Sequence, residues 1–454
     1  MIRLRPPTPL FSLFLGILLL APSLGSQEVP PREPAAQEEG DDVTLVIEEG
    51  QTARIRLAFP EPEIRGDLSP EAREARRELE SALRSDLQST GIFQIQGPEA
   101  LSVVEPTGDR GRDFEQYRSL GNEAVLLAEI YQEGSDRIVL EGRVYDLASG
   151  QSILGKRYRG SFDLARRIAH TFTDEIVLYF TGRRGIALTS IAFVSDRSGE
   201  KEIYLMDYDG RNVRPITGHQ SISMAPDWSP SGNAVAYVSY YGGFPGIYLV
   251  NLETGEKEPV ITEGSLNSAP DFSGDGSHLV FSRSLAGNTE IFSVARDGSD
   301  LRRLTRSPGI DTNPSWSPSG RQIAFTSSRA GNPHIYVMDA EGTNLQRITF
   351  EGTYNDGAAW SPDGSKIAYA TRRRGRQFDI AVTDLALMET KVLTRRMAGS
   401  QESPTWSPDG RRIAFASAVG GRTQIRVVPA EGGESELLTA DGNNMAPDWS
   451  GHPN

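Results

Sequence analysis

The sequence predicts an all-β six-bladed β-propeller in its C-terminal part, preceded by a smaller α+β domain. Three observations predict the propeller. A phrase centred on an aromatic residue recurs at intervals of 43 to 46 residues, each phrase is followed by further β-rich words, and the last phrase of the chain completes a repeat that begins without one. Units of about 40–50 residues with four short strands each are typical of propeller blades.

The aromatic phrase marks the first strand of each blade. It reads APDWSPSG around Trp228 and returns as APDFSGDG, NPSWSPSG, GAAWSPDG, SPTWSPDG and APDWS. Its aromatic positions are Trp228, Phe272, Trp316, Trp360, Trp406 and Trp449. All five tryptophans of the chain occupy this position, where a large aromatic side chain is expected to pack between blades. The Ser-Pro-x-Gly sequence that follows is a tight turn, because proline presets φ and glycine accepts positive φ.

The two ends of the repeat region complete each other. IAFVS at 191–195 begins a unit that has no aromatic phrase before it, whereas APDWS at 446–450 is a first strand with nothing after it. Pairing them closes the ring and removes two exposed sheet edges. We therefore predict six blades over residues 186–450, closed by the C-terminal strand. A solenoid would need polar capping repeats, and we recognise none.

Three segments are expected before the propeller. Residues 1–25 read as a secretory signal peptide, with Arg3 and Arg5 before an apolar stretch at 10–20 and cleavage after Gly25. Residues 26–42 are an acidic, proline-rich linker. Residues 43–185 are the α+β domain. No other stretch is apolar and long enough to cross a bilayer, so we expect no direct membrane span and a mature protein in the periplasm.

Helices and strands of the smaller domain follow from capping and periodicity. Ser69 and Pro70 begin a helix that ends near Gly91. Its apolar stripe is Ala72, Ala75, Leu79, Leu83 and Leu87. A short helix at 112–120, strands at 123–131 and 137–146, and a strand-like ILGKRY segment come next. The last helix is predicted to start at Ser161 and to stop near Gly182. Its stripe is Leu164, Ile168, Phe172, Ile176 and Tyr179.

Composition narrows the function. The net charge is −14, from 47 basic and 61 acidic residues, which disfavours sequence-independent nucleic-acid binding. The chain has no cysteine, which excludes disulfides, thiol catalysis and a lipid-modified cysteine. The dense run Arg372, Arg373, Arg374 and Arg376 is interpreted as a solvated loop rather than a binding patch.

No catalytic, cofactor or metal site is predicted. The five histidines, at 170, 219, 278, 334 and 452, fall at different positions of the fold and are not expected to converge. Asp227, Asp271 and Asp448 precede aromatic residues at equivalent positions, as do Ser315 and Thr405. Two interpretations of this ring stay open: it holds a cation in the channel, or it bonds to neighbouring blades.

The loops that lead from the last strand of one blade to the first of the next are the expected binding face. They vary while the strands repeat, as recognition loops on a rigid scaffold do. The residues predicted to bind a partner protein here are His219, Asn267, Asp311, Tyr354, Asn355, Gln401, Asn444 and Met445. The alternative for each is a merely solvated loop residue.

The motifs resemble one family. The propeller phrase PxWSPDGxxIAF with IYxMDxxG, and the segments LRSDLQSTGIF (83–93), YRSLGNEAVLL (117–127) and RVYDLASGQSILGKRY (143–158), are similar in kind and order to the TolB family, the periplasmic members of the Tol-Pal system of Gram-negative bacteria. The resemblance covers roughly residues 43–450. It implies a non-enzymatic, monomeric adaptor that supports envelope integrity and cell division.

The resemblance also implies two partners. The propeller would bind the peptidoglycan-associated lipoprotein Pal, with other outer-membrane lipoproteins as further candidates. VTLVIEEG (43–50) looks like the family's TolA-binding segment, with contacts from Val43, Leu45, Ile47 and Glu48. Here about 17 linker residues precede it, unlike the family pattern. Two alternatives remain: a carbohydrate-binding or metal-dependent lyase propeller, and a relative serving another envelope complex.

Overall fold

The structure is a computed structural model that describes residues 54–264, 266–372, 375 and 377–453. The predictions for the signal peptide, the linker and the segment 43–50 lie outside the described residues, as do Arg373, Arg374 and Arg376. Among the residues described, no helix has the length and apolar character needed to cross a membrane.

The smaller domain is built on a mixed sheet. Its strands are β1 Ile55–Ala58, β2 Glu63–Arg65, β3 Phe93–Gln96, β4 Ala124–Glu133, β5 Arg137–Asp146 and β6 Ser152–Ser161. The order across the sheet is β3-β1-β4-β5-β6, and β2 also pairs with β4. The pairs of β1 with β3 and β4 are parallel, whereas β4, β5 and β6 form an antiparallel meander. The prediction of a smaller α+β domain is confirmed.

Three helices accompany this sheet: α1 Pro70–Ser89, α2 Arg110–Ser119 and α3 Ala165–Thr181. The Ser69 side chain accepts a hydrogen bond from the Ala72 N–H at 3.1 Å, which caps α1 as its sequence predicts. Helix α3 ends at Gly182, whose φ of 67° suits a residue without Cβ. Leu79, Leu83 and Phe172 are fully buried where α1 and α3 pack on the sheet.

The last helix differs from its prediction at both ends. A short 3-10 turn at Phe162–Leu164 precedes it, so the α-helix begins at Ala165 rather than at Ser161. Leu164 and Tyr179 are exposed. Phe180 instead continues the buried stripe, with its ring edge-on to Phe93 at 5.3 Å. The short strands β2 and β3 were not predicted, because three or four residues carry too little alternation to identify a strand.

The propeller contains six four-stranded antiparallel sheets. Blade 1 is β10 Ser223–Trp228, β11 Ala234–Ser239, β12 Gly246–Asn251 and β13 Lys257–Ile261. Blade 2 is β14 Leu266–Phe272, β15 His278–Leu285, β16 Asn288–Ala295 and β17 Arg302–Arg303. Blade 3 is β18 Asp311–Trp316, β19 Gln322–Ser327, β20 His334–Asp339 and β21 Gln346–Arg347. Blade 4 is β22 Tyr354–Trp360, β23 Lys366–Arg372, β24 Asp379–Asp384 and β25 Glu389–Val392. Blade 5 is β26 Ser400–Trp406, β27 Arg412–Val419, β28 Arg422–Pro429 and β29 Glu436–Leu437.

Blade 6 joins the two ends of the repeat region. It consists of β30 Asn444–Trp449, β7 Ser190–Ser198, β8 Glu200–Asp207 and β9 Arg214–Pro215, in that order. Trp449 lies opposite Ile191, and its indole N–H donates to the Thr189 hydroxyl at 2.9 Å. The six-bladed propeller is confirmed, and the last strand occupies the position that the repeat predicts. The domain limits at 43–185 and 186–450 stay a prediction.

A buried polar cluster joins α1 and α3 to the sixth blade. The Asp86 carboxylate accepts from the Tyr208 hydroxyl at 2.7 Å, and its other oxygen lies 2.7 Å from His170 Nδ1. Arg166 pairs with Asp209 at 2.6 Å. Tyr208 lies between β8 and β9, so the helices are fixed to the turn that connects these strands.

Candidate partner-binding face

The propeller has one face that the smaller domain leaves free. In each blade the loop between the second and third strands and the loop from the fourth strand to the next blade lie at the same end. The cluster around Tyr208 and the contact of Arg412 with the Ser89 carbonyl both involve turns at the opposite end. We call the free end the upper face. All eight residues of the predicted binding site belong to its loops or to the first residues that follow them.

Five of these eight side chains are fully buried. Each stands near the start of an inner strand, beneath the loop that leads into it: Asn267, Asp311, Asn355, Gln401 and Asn444. The direct polar contact with a partner that the sequence analysis assigned to them does not fit this burial. The polar residue type was recognised, but the loop above it was not visible in the sequence.

The buried residues hold their own loops. The side-chain amides donate to backbone carbonyls three or four residues earlier: Asn267 to Glu263 at 3.1 Å, Asn355 to Glu351 at 2.8 Å, Gln401 to Ala398 at 2.8 Å and Asn444 to Asp441 at 2.9 Å. The Asp311 carboxylate instead accepts from Arg329 at 2.8 Å and from Ser327. Buried polar groups of this kind fix loop shape, since leaving them unpaired is costly.

The other three predicted residues are half-buried. His219 Nε2 lies 3.1 Å from the Tyr237 hydroxyl, and burial, together with the nearby Lys257 charge, lowers the pKa of His219. Tyr354 packs edge-on against Phe378 at 5.4 Å, with Arg372 5.2 Å from its ring centroid. Met445 packs against the core of the sixth blade.

Sequence reasoning missed the most exposed apolar residues of the upper face. They lie in its variable loops: Ile222, Tyr241, Phe244, Leu285, Ile310, Phe350 and Val419. Tyr241 and Phe244 are 65% and 66% exposed, and both belong to the glycine-containing loop between β11 and β12. Their only signal was an aromatic residue in a turn-rich loop, which has no periodicity. Aromatic side chains at this exposure are typical anchors of protein interfaces.

The channel carboxylates bond to neighbouring blades. Asp227 accepts from the Phe272 N–H at 2.7 Å, Asp271 from the Trp316 N–H at 2.6 Å and Asp448 from the Trp228 N–H at 2.7 Å. The structure thus realises the second of the two interpretations left open by the sequence. In the part of the chain described, no group of three or more histidines and carboxylates is arranged to hold a metal ion.

These carboxylates are close enough to affect one another. Burial, followed by the charges of Asp271 and Asp448, raises the pKa of Asp227 well above its ordinary value. Burial raises the pKa of Asp271 to about 8 and that of Asp448 to about 6. Ionising Asp271 is therefore harder in the folded than in the unfolded chain, so the fold loses stability as pH rises from about 4 through 8.

Asp271→Asn is expected to raise the melting temperature at pH 8 by a few degrees, with a smaller gain at pH 5. The amide oxygen can still accept from the Trp316 N–H, while the cost of ionisation is removed. Differential scanning calorimetry at the two pH values measures the effect. Asp275→Asn is the control of opposite sign, because hydrogen bonds from Ser273 and Ser277 lower the pKa of Asp275 to about 2. A gain that is equal at both pH values would contradict the channel account.

Comparison with known proteins follows the same division of the chain. Residues 178–452 match the family described as the TolB beta propeller domain. The chain belongs to the TolB family. Residues 43–153 also match the TolB amino-terminal domain.

Relatives with this name match part of the chain. A Tol-Pal system protein TolB from Geobacter metallireducens is 38% identical over 184 residues, which are 40% of this chain and 42% of the relative. The corresponding protein from Geobacter sulfurreducens is 37% identical over 194 residues, 42% of this chain and 44% of the relative. The chain thus spans about two fifths of the length of these curated relatives.

One solved structure is similar over nearly the whole described region. The crystal structure of TolB from Acinetobacter baumannii superposes with a TM-score of 0.76 at 26% identity, covering 88% of this chain and 97% of that one. The likeness therefore extends over both the smaller domain and the propeller.

Proposed function

We propose that this chain is a non-enzymatic adaptor of a Tol-Pal-like system in the periplasm. Its upper face binds the peptidoglycan-associated lipoprotein Pal, and residues 43–50 bind TolA, which together support envelope integrity and cell division. The observation that carries the proposal is the set of exposed apolar loops on the face of a TolB-family propeller that the smaller domain leaves free.

The upper face has the anatomy of a protein interface. Exposed aromatic and aliphatic side chains rise from its loops, while buried amides below them hold the loop backbones in place. A fixed loop loses little conformational entropy when it binds, so more of the contact energy is retained as affinity. Tyr241 and Phe244 are the contact residues with the largest exposed aromatic area. The five buried residues act on binding through the loops that they hold.

The double substitution Tyr241→Ala, Phe244→Ala is expected to weaken binding of the soluble domain of Pal at least tenfold. Truncating two aromatic anchors of an interface typically costs more than about 1 kcal/mol each. Isothermal titration calorimetry with Pal from the same bacterium measures the change. Both side chains are exposed, so the melting temperature should stay within about a degree.

A matched control tests the choice of face. Leu345→Ala with Leu387→Ala removes two exposed apolar side chains at the opposite end of the propeller. This control should leave the affinity for Pal unchanged. An affinity that the aromatic pair leaves unaltered, or that the control reduces equally, would overturn the assignment of the upper face.

The second contact can be tested separately. Deleting residues 43–50 is expected to abolish binding of the C-terminal domain of TolA and to leave the affinity for Pal within about twofold, because the apolar residues Val43, Leu45 and Ile47 are lost while the propeller is intact. Surface plasmon resonance with each partner immobilised distinguishes the two effects. Retained TolA binding would show that this segment is not the contact.

A further inference from the structure

The upper face is divided into an apolar part and a basic part. Its exposed apolar residues lie mainly in the loops of blades 1 to 3 and in those that lead into blades 1, 3 and 4. The basic part lies in three loops of blades 4 and 5, which comprise residues 372–378, 395–399 and 419–422. These loops contain seven arginines and no aspartate or glutamate, in a chain whose net charge is −14. We call these three loops the arginine sector.

Arginines elsewhere on the upper face are paired. Arg329 meets the Asp311 carboxylate at 2.8 Å, and Arg303 meets Glu290 at 2.7 Å. Arg197 donates to the Asn444 side chain at 3.2 Å. Each of these arginines helps to hold a loop or a strand end, so its charge is already used within the protein.

Arginines of the sector are placed differently. Arg395, Arg396 and Arg422 are exposed, and within the described residues they form no ion pair. Arg372 lies 5.2 Å from the Tyr354 ring centroid and 5.5 Å from that of Phe378, so two aromatic rings position its guanidinium. Grouped guanidinium groups repel one another, and folding gains nothing from bringing them together without carboxylates. Their planar geometry suits carboxylates, which they bind through two parallel hydrogen bonds.

We propose that the arginine sector receives an acidic surface of the protein partner that docks on the upper face. The inference rests on the proposed function and adds a charge requirement to it. A protein is favoured over other anions because the sector lies on the same face as the apolar loops. Aromatic residues and arginine together are the residue types enriched at protein interfaces. The sector thereby sets the rotational position of the partner on a propeller whose six blades are otherwise alike.

Electrostatic contacts at the edge of an interface act mainly on the association rate. Opposite charges steer the encounter, and salt weakens this steering. The triple substitution Arg395→Gln, Arg396→Gln, Arg422→Gln should therefore lower the association rate constant for the soluble domain of Pal roughly tenfold at 50 mM NaCl. At 500 mM NaCl the variant and the parent protein should differ by less than about twofold. Arg372 is left in place because it packs against Tyr354.

The control removes the same charge from the other end of the propeller. Arg211→Gln, Arg214→Gln, Arg321→Gln changes three exposed arginines in blades 6 and 3, away from the upper face. Stopped-flow measurements with the full chain at 50, 150 and 500 mM NaCl compare the three proteins. The control should follow the parent protein, apart from a small change caused by net charge.

The outcomes separate the two proposals. If the parent protein binds Pal but the triple variant associates at the parent rate, the sector proposal is wrong and the proposed function stands. If the parent protein does not bind Pal at any salt concentration, both are overturned. If vesicles of phosphatidylcholine with 30% phosphatidylglycerol bind the parent and not the variant, while Pal association is unchanged, the sector serves anionic lipid instead and the proposal is overturned.

Discussion

Deleting residues 446–454 is expected to lower the melting temperature of the propeller by more than about 10 °C. The deletion removes most of β30, whose partner β7 then becomes an open inner edge. It also removes the buried Trp449 with its hydrogen bond to Thr189. Loss of a buried tryptophan alone costs about 3–5 kcal/mol, a large fraction of the total stability of a typical protein.

A shorter truncation is the control for this experiment. Deleting residues 451–454 leaves β30 intact and removes only the exposed end, including the Pro453 carbonyl that accepts from Arg184 at 3.2 Å. Its melting temperature should fall by no more than a few degrees. Thermal unfolding followed by tryptophan fluorescence and by circular dichroism measures both variants. Equal melting temperatures for the two truncations would show that the last strand does not close the ring.

Asp86→Ala is the second substitution with a large expected effect. It removes the carboxylate that accepts from Tyr208 and contacts His170, and it leaves the buried imidazolium without this partner. Removing one member of a buried charged pair typically costs about 3–5 kcal/mol. Because the cluster joins helices to the sixth blade, the smaller domain should unfold at a lower temperature than the propeller, giving two calorimetric transitions instead of one.

The same cluster predicts a pH dependence. Burial lowers the pKa of His170, but its interactions with Asp207 and Asp86 more than offset this and raise it to about 9, above the usual 6.5. The charged form is thus favoured by folding. Its contribution, on the order of 3 kcal/mol, is fully present below pH 6.5 and is lost as pH rises through 9.

A conservative variant distinguishes this charge effect from loss of packing. Tyr208→Phe removes one hydrogen bond to Asp86 but keeps the ring and the Asp86–His170 pair, so it should cost only about 1–2 kcal/mol. The decline in stability between pH 7 and 9 should persist in Tyr208→Phe and disappear in Asp86→Ala. Urea unfolding at pH 6, 7, 8 and 9 gives the comparison. A parallel decline in both variants would contradict the assignment to His170.

The repeat carried most of the fold into the sequence. A blade is a local unit, and its aromatic phrase, turn glycine and alternating strands recur, so six copies reveal one another even where a single copy is ambiguous. The clasp followed from the unmatched first and last fragments. Short pieces without repetition were harder, as with β3, whose four residues depend on pairing with β1 rather than on their own pattern.

The site was less predictable because it depends on depth. Asn355 and Gln401 lie in loop-like sequence, and only the folded chain shows that the loop backbone covers them. Tyr241 and Phe244 look like any aromatic residues near glycines until the structure shows their exposure. The cluster of Asp86, His170 and Tyr208 brings together residues separated by 84 and 122 positions in the chain, a relation that no local pattern records.

Hydrogen–deuterium exchange of the chain with and without the soluble domain of Pal tests the central claim most directly. The account predicts slower exchange in the loops of the upper face, at 218–224, 240–245, 308–312 and 350–354, and unchanged exchange in the turns at the opposite end. Protection confined to those opposite turns, or no protection at saturating Pal, would contradict the adaptor account.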